Sequence, residues 1–324
     1  MSDTSPPTMG KANLQVFAET VEELAPADPS LLVVTSDSRG SGKLSAFAAR
    51  MPERVIEVGI AEQNLVGVAA GLSAGGRNVI AVSPASFLAT RSLEQIKHDV
   101  CYSDRPVTLV GISAGVSYGA LGSTHHSLHD FAALRAIHNI TVVAPADNWE
   151  TRETIRAAVS SPGGKGPRSP VYIRFGKQPV PDLPHPEPFA FGKGRIIRAG
   201  EDAAFIATGE TVWRSLRAAE ALGARGVSVA VVSMHTVKPL DEALLRQVAG
   251  AVSAMVVVEE HSEHGGLGDG CARVLLEAGI SPRFRVVAVP DEYTVTGSQE
   301  EILNHYGISE AGLAETVDRL LAGG

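Results

Sequence analysis

Val55-Ile56-Glu57-Val58-Gly59-Ile60-Ala61-Glu62-Gln63-Asn64 runs directly into Leu65-Val66-Gly67-Val68-Ala69-Ala70-Gly71-Leu72. The opening residues are a short apolar run, and those after Ala61 form an amphipathic segment. The stretch reads as a buried strand that passes through Gly59 into a helix beginning at Glu62. Strand followed by helix is the building unit of a parallel sheet. It also fixes a carboxylate where a strand ends and a helix begins, a placement that suits a functional glutamate. Taken alone, the same placement suits a glutamate that merely favours the helix N-terminus through the macrodipole.

Outward from this unit the alternation continues. Strands are expected at 31–35, 55–59, 79–83, 107–112, 141–144 and 171–175. Helices are expected at 12–24, at 62–74, from near Ser92 and after Asp147. Asp147 with Glu150 three residues on is an N-cap signal. Between Gln178 and Gly192 the pattern stops, and prolines at 179, 181, 184, 186 and 188 give a stiff extended connector. Beyond it, strands are expected at 203–207, 227–232, 255–259 and 286–289, with helices at 212–222, 241–248, 269–278 and 310–321. The expected layout is a disordered tail at 1–11, a first domain at 12–177, a linker at 178–192 and a smaller second domain at 193–324. Each domain is α/β, with a mostly parallel sheet flanked by helices.

Bulk properties narrow the function. With 324 residues and 44% hydrophobic content the chain can bury a sizeable core. A net charge of −8 argues against nucleic-acid binding, which needs a basic surface. Cys101 and Cys271 are the two cysteines; they offer neither a metal spacing nor a disulfide framework, which fits a reducing, cytoplasmic setting. No apolar run has membrane-spanning length, and residues 1–11 lack the apolar stretch of a secretory signal.

The Glu62 motif, continued to Gly71, resembles the pyrimidine-domain motif of thiamine diphosphate enzymes, and of the transketolase family in particular. The resemblance implies a pyrimidine-binding domain followed by a transketolase C-terminal-like domain. It makes Glu62 the carboxylate that hydrogen-bonds the pyrimidine N1′ of thiamine diphosphate and promotes its imino tautomer, which removes the thiazolium C2 proton. Ser86-Phe87-Leu88, with Arg91 and Glu94-Gln95-Ile96, resembles the next family segment. There an aromatic ring packs on the pyrimidine, the role implied for Phe87, and Arg91 resembles an arginine that reaches the active site. Ile112, closing the strand 107–112, falls among the implied cofactor-binding positions. Read alone, Phe87 equally suits a core position and Arg91 a solvated helix face.

Gly122-Ser123-Thr124-His125-His126-Ser127 follows a glycine-rich loop after that strand, where parallel α/β proteins place ligands. It resembles a Gly-Pro-Thr-His segment of transketolases and deoxyxylulose-phosphate synthases, whose histidine contacts sugar hydroxyls. His125 takes that position, and His126 is expected beside the substrate. Alternatively His126, His129 and Asp130 cap the next helix. No carboxylate or thiol completes a metal site with these histidines, so no metal ligand is expected in this chain.

The substrate side departs from the family. Ala120-Leu121 stands where transketolases carry Glu-Asp, Ser113 where they hold a histidine, and Lys177 where an arginine binds phosphate. Lysine keeps the charge and loses the bidentate fork. Gly268-Asp269-Gly270 resembles half of a magnesium diphosphate motif, but Asn304 is the only later asparagine and follows no strand, so a glycine-rich helix entry is the better reading.

No segment resembles a diphosphate-binding domain, and a complete transketolase is about twice as long. The resemblance implies a C-terminal-half subunit whose N-terminal-half partner supplies the ligands of Mg2+ (or Ca2+) and most diphosphate contacts. It further implies an α2β2 assembly in which copies of this chain also self-associate. The implied activity is transfer of a two-carbon ketol unit from a ketose to an aldehyde, with an altered substrate site. The alternatives are a 2-oxoacid dehydrogenase β subunit, a deoxyxylulose-phosphate-synthase-like enzyme and a non-catalytic scaffold. Thr124-His125-His126 favours ketol transfer, and intact Glu62 and Phe87 weigh against the scaffold.

Overall fold

The computed structural model of the chain describes residues 8–159, 169–183 and 188–323. In chain order the strands are β1 (Met9–Ala12), β2 (Leu31–Thr35), β3 (Val55–Glu57), β4 (Asn78–Pro84), β5 (Val107–Ile112), β6 (Thr141–Val143), β7 (Val171–Phe175), β8 (Pro179–Pro181), β9 (Arg195–Arg198), β10 (Ala203–Ala207), β11 (Val229–Ser233), β12 (Thr236–Lys238), β13 (Ala254–Ser262) and β14 (Arg283–Val289). One sheet has the order β12-β6-β7-β5-β4-β2-β3 and the other β14-β13-β10-β11-β9. Within these two sheets pairing is parallel throughout except for β12 on β6 and β9 on β11. Every residue of β5, β7, β10 and β11 is buried. That is why these strands read as unbroken apolar runs rather than as alternation.

The period-2 side-chain rule sorts the core into layers. In β4, Ile80 and Val82 pack with Leu14 and Phe17 of the helix Asn13–Leu24 and with Ile155 of the helix Asn148–Ala158. Val79 and Ala81 face the other way, in a cluster with Leu65 and Val66 of the helix Glu62–Ala74. That same cluster contains Ala204, Ile206, Val232 and Met255 of the second sheet. One apolar core therefore runs through both domains. Phe205, Val231 and Val256 point to a further cluster closed by the helix Glu310–Ala322.

Three expectations change. Met9–Ala12 belongs to β1 and pairs antiparallel with β8, Met9 opposite Pro181 and Ala12 opposite Pro179. Tail and linker thus form a two-stranded ribbon, in which prolines are tolerated at an edge. The second domain is not separate in its strand pairing, because β12 closes the edge of the first sheet at β6. The helix Gln299–His305, opened by a Ser298–Glu301 capping box, was not anticipated. The parts of the expected tail and linker at 1–7 and 184–187 lie outside the described residues.

A buried ionic cluster joins the domains. Asp147 accepts the Glu150 N–H at 2.7 Å, the expected N-cap bond. Arg195 of β9 then reaches Asp147 Oδ2 at 2.8 Å and Glu150 Oε1 at 3.0 Å, and the Ser233 hydroxyl donates to Glu150 at 2.8 Å. Burial and the neighbouring Glu150 push the Asp147 carboxyl up, with Arg195 opposing them. Arg195→Met leaves two buried carboxylates without their cation. It should lower the unfolding free energy by about 3–5 kcal/mol in urea titrations.

Candidate active site

The carboxyl ends of the first sheet's parallel strands lie along one edge, and the loops leaving them carry the side chains of interest. After β3, Gly59 adopts φ +73°, a left-handed conformation natural for glycine, and its N–H donates to Glu57 at 3.0 Å. The Asp37 N–H, in the loop after β2, donates to the same oxygen at 2.6 Å. This clasp turns the chain so that Glu62 becomes the first residue of its helix, with only 4% of its surface exposed. A carboxylate there is favoured by the helix N-terminus.

After β4 the helix Ala85–Arg91 buries Leu88 and Ala89. Phe87 and Arg91, four residues apart, share its other face. The Arg91 guanidinium lies 4.3 Å from the centre of the Phe87 ring, and its Nη1 donates to both Glu62 oxygens, at 3.1 and 3.2 Å. The His125 ring also meets Phe87 in an edge-on contact, with centroids 5.4 Å apart. Thr124 Oγ1 holds His125 Nδ1 at 2.9 Å. A third ring, Tyr118, meets His125 edge-on at 5.5 Å, and Lys177 Nζ sits 4.0 Å from the centre of Tyr118. Burial, with the nearby Lys43 second, lowers the Lys177 pKa.

Glu62, Phe87, Arg91, His125 and Lys177 thus form one continuous chain of contacts, with Tyr118 linking the last two. Ile112 does not join it; its side chain is fully buried in the sheet core with Val82 and Ile173. His126, expected beside the substrate, does not join the cluster either. It is buried, with both ring nitrogens bonded to Thr294 and Gly119. Tyr118 escaped the sequence reading, although an aromatic inside a glycine-rich loop was a usable signal. Leu121 is 55% exposed, and Ser113 is buried with φ +55°.

Among the described residues, no group of three or more His, Cys, Asp or Glu side chains is placed to hold a metal. Gly268-Asp269-Gly270 opens the helix Leu267–Glu277, whose first N–H groups at Leu267 and Gly268 donate to Glu259 at 2.7 and 2.8 Å. A cleft of about 750 Å³ lies between Gln178, Glu210, Trp213 and Gln299, and none of the clustered residues lines it.

Comparison with known proteins decides the family. Residues 10–182 match the pyrimidine binding domain of transketolase, and residues 192–313 match the transketolase C-terminal domain. The chain belongs to the transketolase family. It is 40% identical over 302 residues to one of the subunits of the apulose-4-phosphate transketolase of Phocaeicola vulgatus, covering 93% of this chain and 94% of that protein. It is 36% identical to 1-deoxy-D-xylulose-5-phosphate synthase 1 of Geobacter metallireducens, covering 95% of this chain but 49% of that enzyme. A solved split gene transketolase, described as an inactive beta4 tetramer, superposes with a TM-score of 0.84 at 34% identity, covering 97% of this chain and 99% of that one. Transketolase membership carries use of thiamine diphosphate. No helix among the described residues is long and apolar enough to cross a membrane.

Carboxylates from the second domain back this cluster of side chains. Glu210 accepts the Gly176 N–H at 2.9 Å, next to Lys177. Burial, then repulsion from Glu260, pushes its carboxyl from 4.5 up to about 8. Folding therefore takes up a proton between those values, and stability falls as pH rises through that window. Replacing Glu210 by Gln should flatten the decline in unfolding free energy measured from pH 5 to pH 8.

Proposed function

We propose that the chain is the C-terminal-half subunit of a split transketolase. In this reading it moves a two-carbon ketol unit from a ketose to an aldehyde, with thiamine diphosphate held between it and a diphosphate-binding partner. The observation that carries the proposal is the placement of Arg91, whose flat guanidinium lies on the Phe87 ring while its N–H groups meet the Glu62 carboxylate. Ring and carboxylate together already accept a flat group that donates hydrogen bonds, which is the chemistry of a protonated aminopyrimidine. Glu62 and Phe87 therefore fit the pyrimidine end of the cofactor. The naming of the Phocaeicola relative as one subunit of its enzyme, together with the split gene transketolase, supports the two-chain organisation.

When bound, thiamine diphosphate supplies the carbon nucleophile. The chain contributes the rest. Glu62 holds a proton at the pyrimidine N1′, where the helix N-terminus keeps the carboxylate in place. Phe87 fixes the plane of the pyrimidine. Arg91 gives up Glu62 as the cofactor enters and turns its guanidinium to the substrate. His125, tied at Nδ1 to Thr124, offers Nε2 to the substrate hydroxyls. Lys177 faces an anionic group of the donor, and Leu121 removes the acidic contact expected of common sugar donors. The partner holds the divalent cation, in an α2β2 complex with self-association of this chain.

Co-expression with an N-terminal-half transketolase chain tests this. The chain alone should show no turnover, and the complex should transfer ketol units from a panel of phosphorylated and free ketoses. Glu62→Gln should lower turnover by about 10²–10⁴-fold. Turnover by the isolated chain, or full activity in the Glu62→Gln complex, would sink the proposal. Arg91→Ala should leave thiamine diphosphate affinity equal or tighter by calorimetry while raising the donor KM.

A second reading, condensation of a 2-oxoacid with an aldehyde, draws on the similarity to the deoxyxylulose-phosphate synthase. Release of CO2 from pyruvate by the complex, without ketol transfer, would favour it.

A further inference from the structure

The loop that carries His125 belongs to the first domain but is fastened by the second. Thr294, 8% exposed and just beyond β14, touches it on both sides of His125. Its Oγ1 lies 2.7 Å from His126 Nδ1 and 2.9 Å from Ser123 Oγ, and its N–H donates to Ser123 Oγ at 3.0 Å. His126 Nε2 lies 3.0 Å from the Gly119 carbonyl oxygen.

With the His126 ring neutral, donor and acceptor chemistry sets the direction of every bond in this chain. A carbonyl oxygen only accepts, so His126 Nε2 carries the ring proton. Nδ1 is then bare and accepts the Thr294 hydroxyl. With its proton committed, the Thr294 oxygen accepts from the Ser123 hydroxyl. The ring must stay neutral for this arrangement, and burial lowers the His126 pKa accordingly.

The backbone shows the same close docking. Gly119 has φ +52°, and a Cβ there would lie 2.5 Å from the Gly297 carbonyl oxygen. Gly122 has φ +71°, and its Cβ would lie 3.2 Å from Thr296 Cγ2. The segment 294–297 therefore presses on the loop from the second domain with no room for a side chain at Gly119. Only Thr124 and His125 lie between the two residues that Thr294 grips.

We propose that Thr294 is a positioning residue for His125, setting where its imidazole meets the substrate by clamping Ser123 and His126 on either side. The inference rests on the reading of His125 as the substrate-contacting histidine. Thr294 touches no reacting atom in this scheme. It acts through the loop, and its effect requires His125.

A double-mutant cycle in the two-chain complex tests this. Thr294→Val keeps the shape and removes the hydroxyl, and should lower kcat/KM roughly tenfold, mostly through the donor KM. Cofactor affinity and complex assembly should not change. Thr294→Ser keeps the hydroxyl and should restore near-native values. In a His125→Ala background, Thr294→Val should cost nothing further. Imidazole 15N spectra of the full chain alone should show His126 in the Nε2–H form, with its Nδ1 resonance shifted by Thr294→Val. Should the valine variant fold poorly, Ser123→Ala removes the other grip and should show the same dependence on His125. An equal loss from Thr294→Val with and without His125 overturns the inference, as does no loss at all. If His125→Ala itself leaves donor use unchanged, the His125 reading falls and the inference with it. That outcome is distinguishable because it appears in the single variant.

Discussion

A guanidinium does not lose its proton, so a buried arginine has to find acceptors wherever the chain places it. Arg174, on the interior strand β7 of the first sheet, is 5% exposed. It donates to Asp130 at 2.6 Å, to the Ser127 carbonyl at 3.3 Å and to the Glu260 carbonyl at 2.6 Å, and it lies 4.1 Å from the centre of the Phe131 ring. Those acceptors come from a helix, from the end of the His125 loop and from the second sheet. Tyr172, two residues back and on the same strand face, donates to the other Asp130 oxygen at 2.7 Å. The site loop, the helix behind it and the domain interface all depend on satisfying this one cation.

Glu260 extends the same constraint from the other side. Its carboxylate accepts the Val116 N–H at 2.8 Å and the Gln299 amide at 3.0 Å. A carboxylate with its side chain between two domains is costly unless its lone pairs are used. Here they are used on the backbone that leads to Tyr118 and His125. Gly115 at φ +60° gives Glu260 space, since a Cβ there would fall 2.2 Å from the carboxyl carbon. The second domain thus reaches the site through polar groups aimed at its loops rather than through a residue of its own in the cluster.

Much of this was legible in the sequence where the physics is local. The strands Leu31–Thr35, Val107–Ile112 and Val171–Phe175 and the helix Glu62–Ala74 follow from apolar runs and helical spacing. The Asp147 cap follows from its own spacing to Glu150. Glu62, Phe87 and His125 were found by motif, and the fold brings them together. What was missed is long-range. β12 shows no strand signal of its own, because its partner lies in the other domain. β1 and β8 were hidden by prolines and polar residues that only a mutual pairing makes extended. His126 stands next to His125 in the sequence, and its burial against Thr294, far along the chain, and Gly119 sets the two rings in different surroundings. Ile112, a position suggested by likeness, has its side chain in the sheet core, outside the cluster of contacts.

β12 also has a meaning for inheritance. A strand contributed by the second domain completes the first sheet, and one apolar layer lies between the two. Severed between its domains, the polypeptide would present β6 as an open edge with a bare apolar face beside it, the combination that invites aggregation. The two domains are therefore one heritable and foldable unit. Genetic rearrangement that leaves this molecule folded has to move them together.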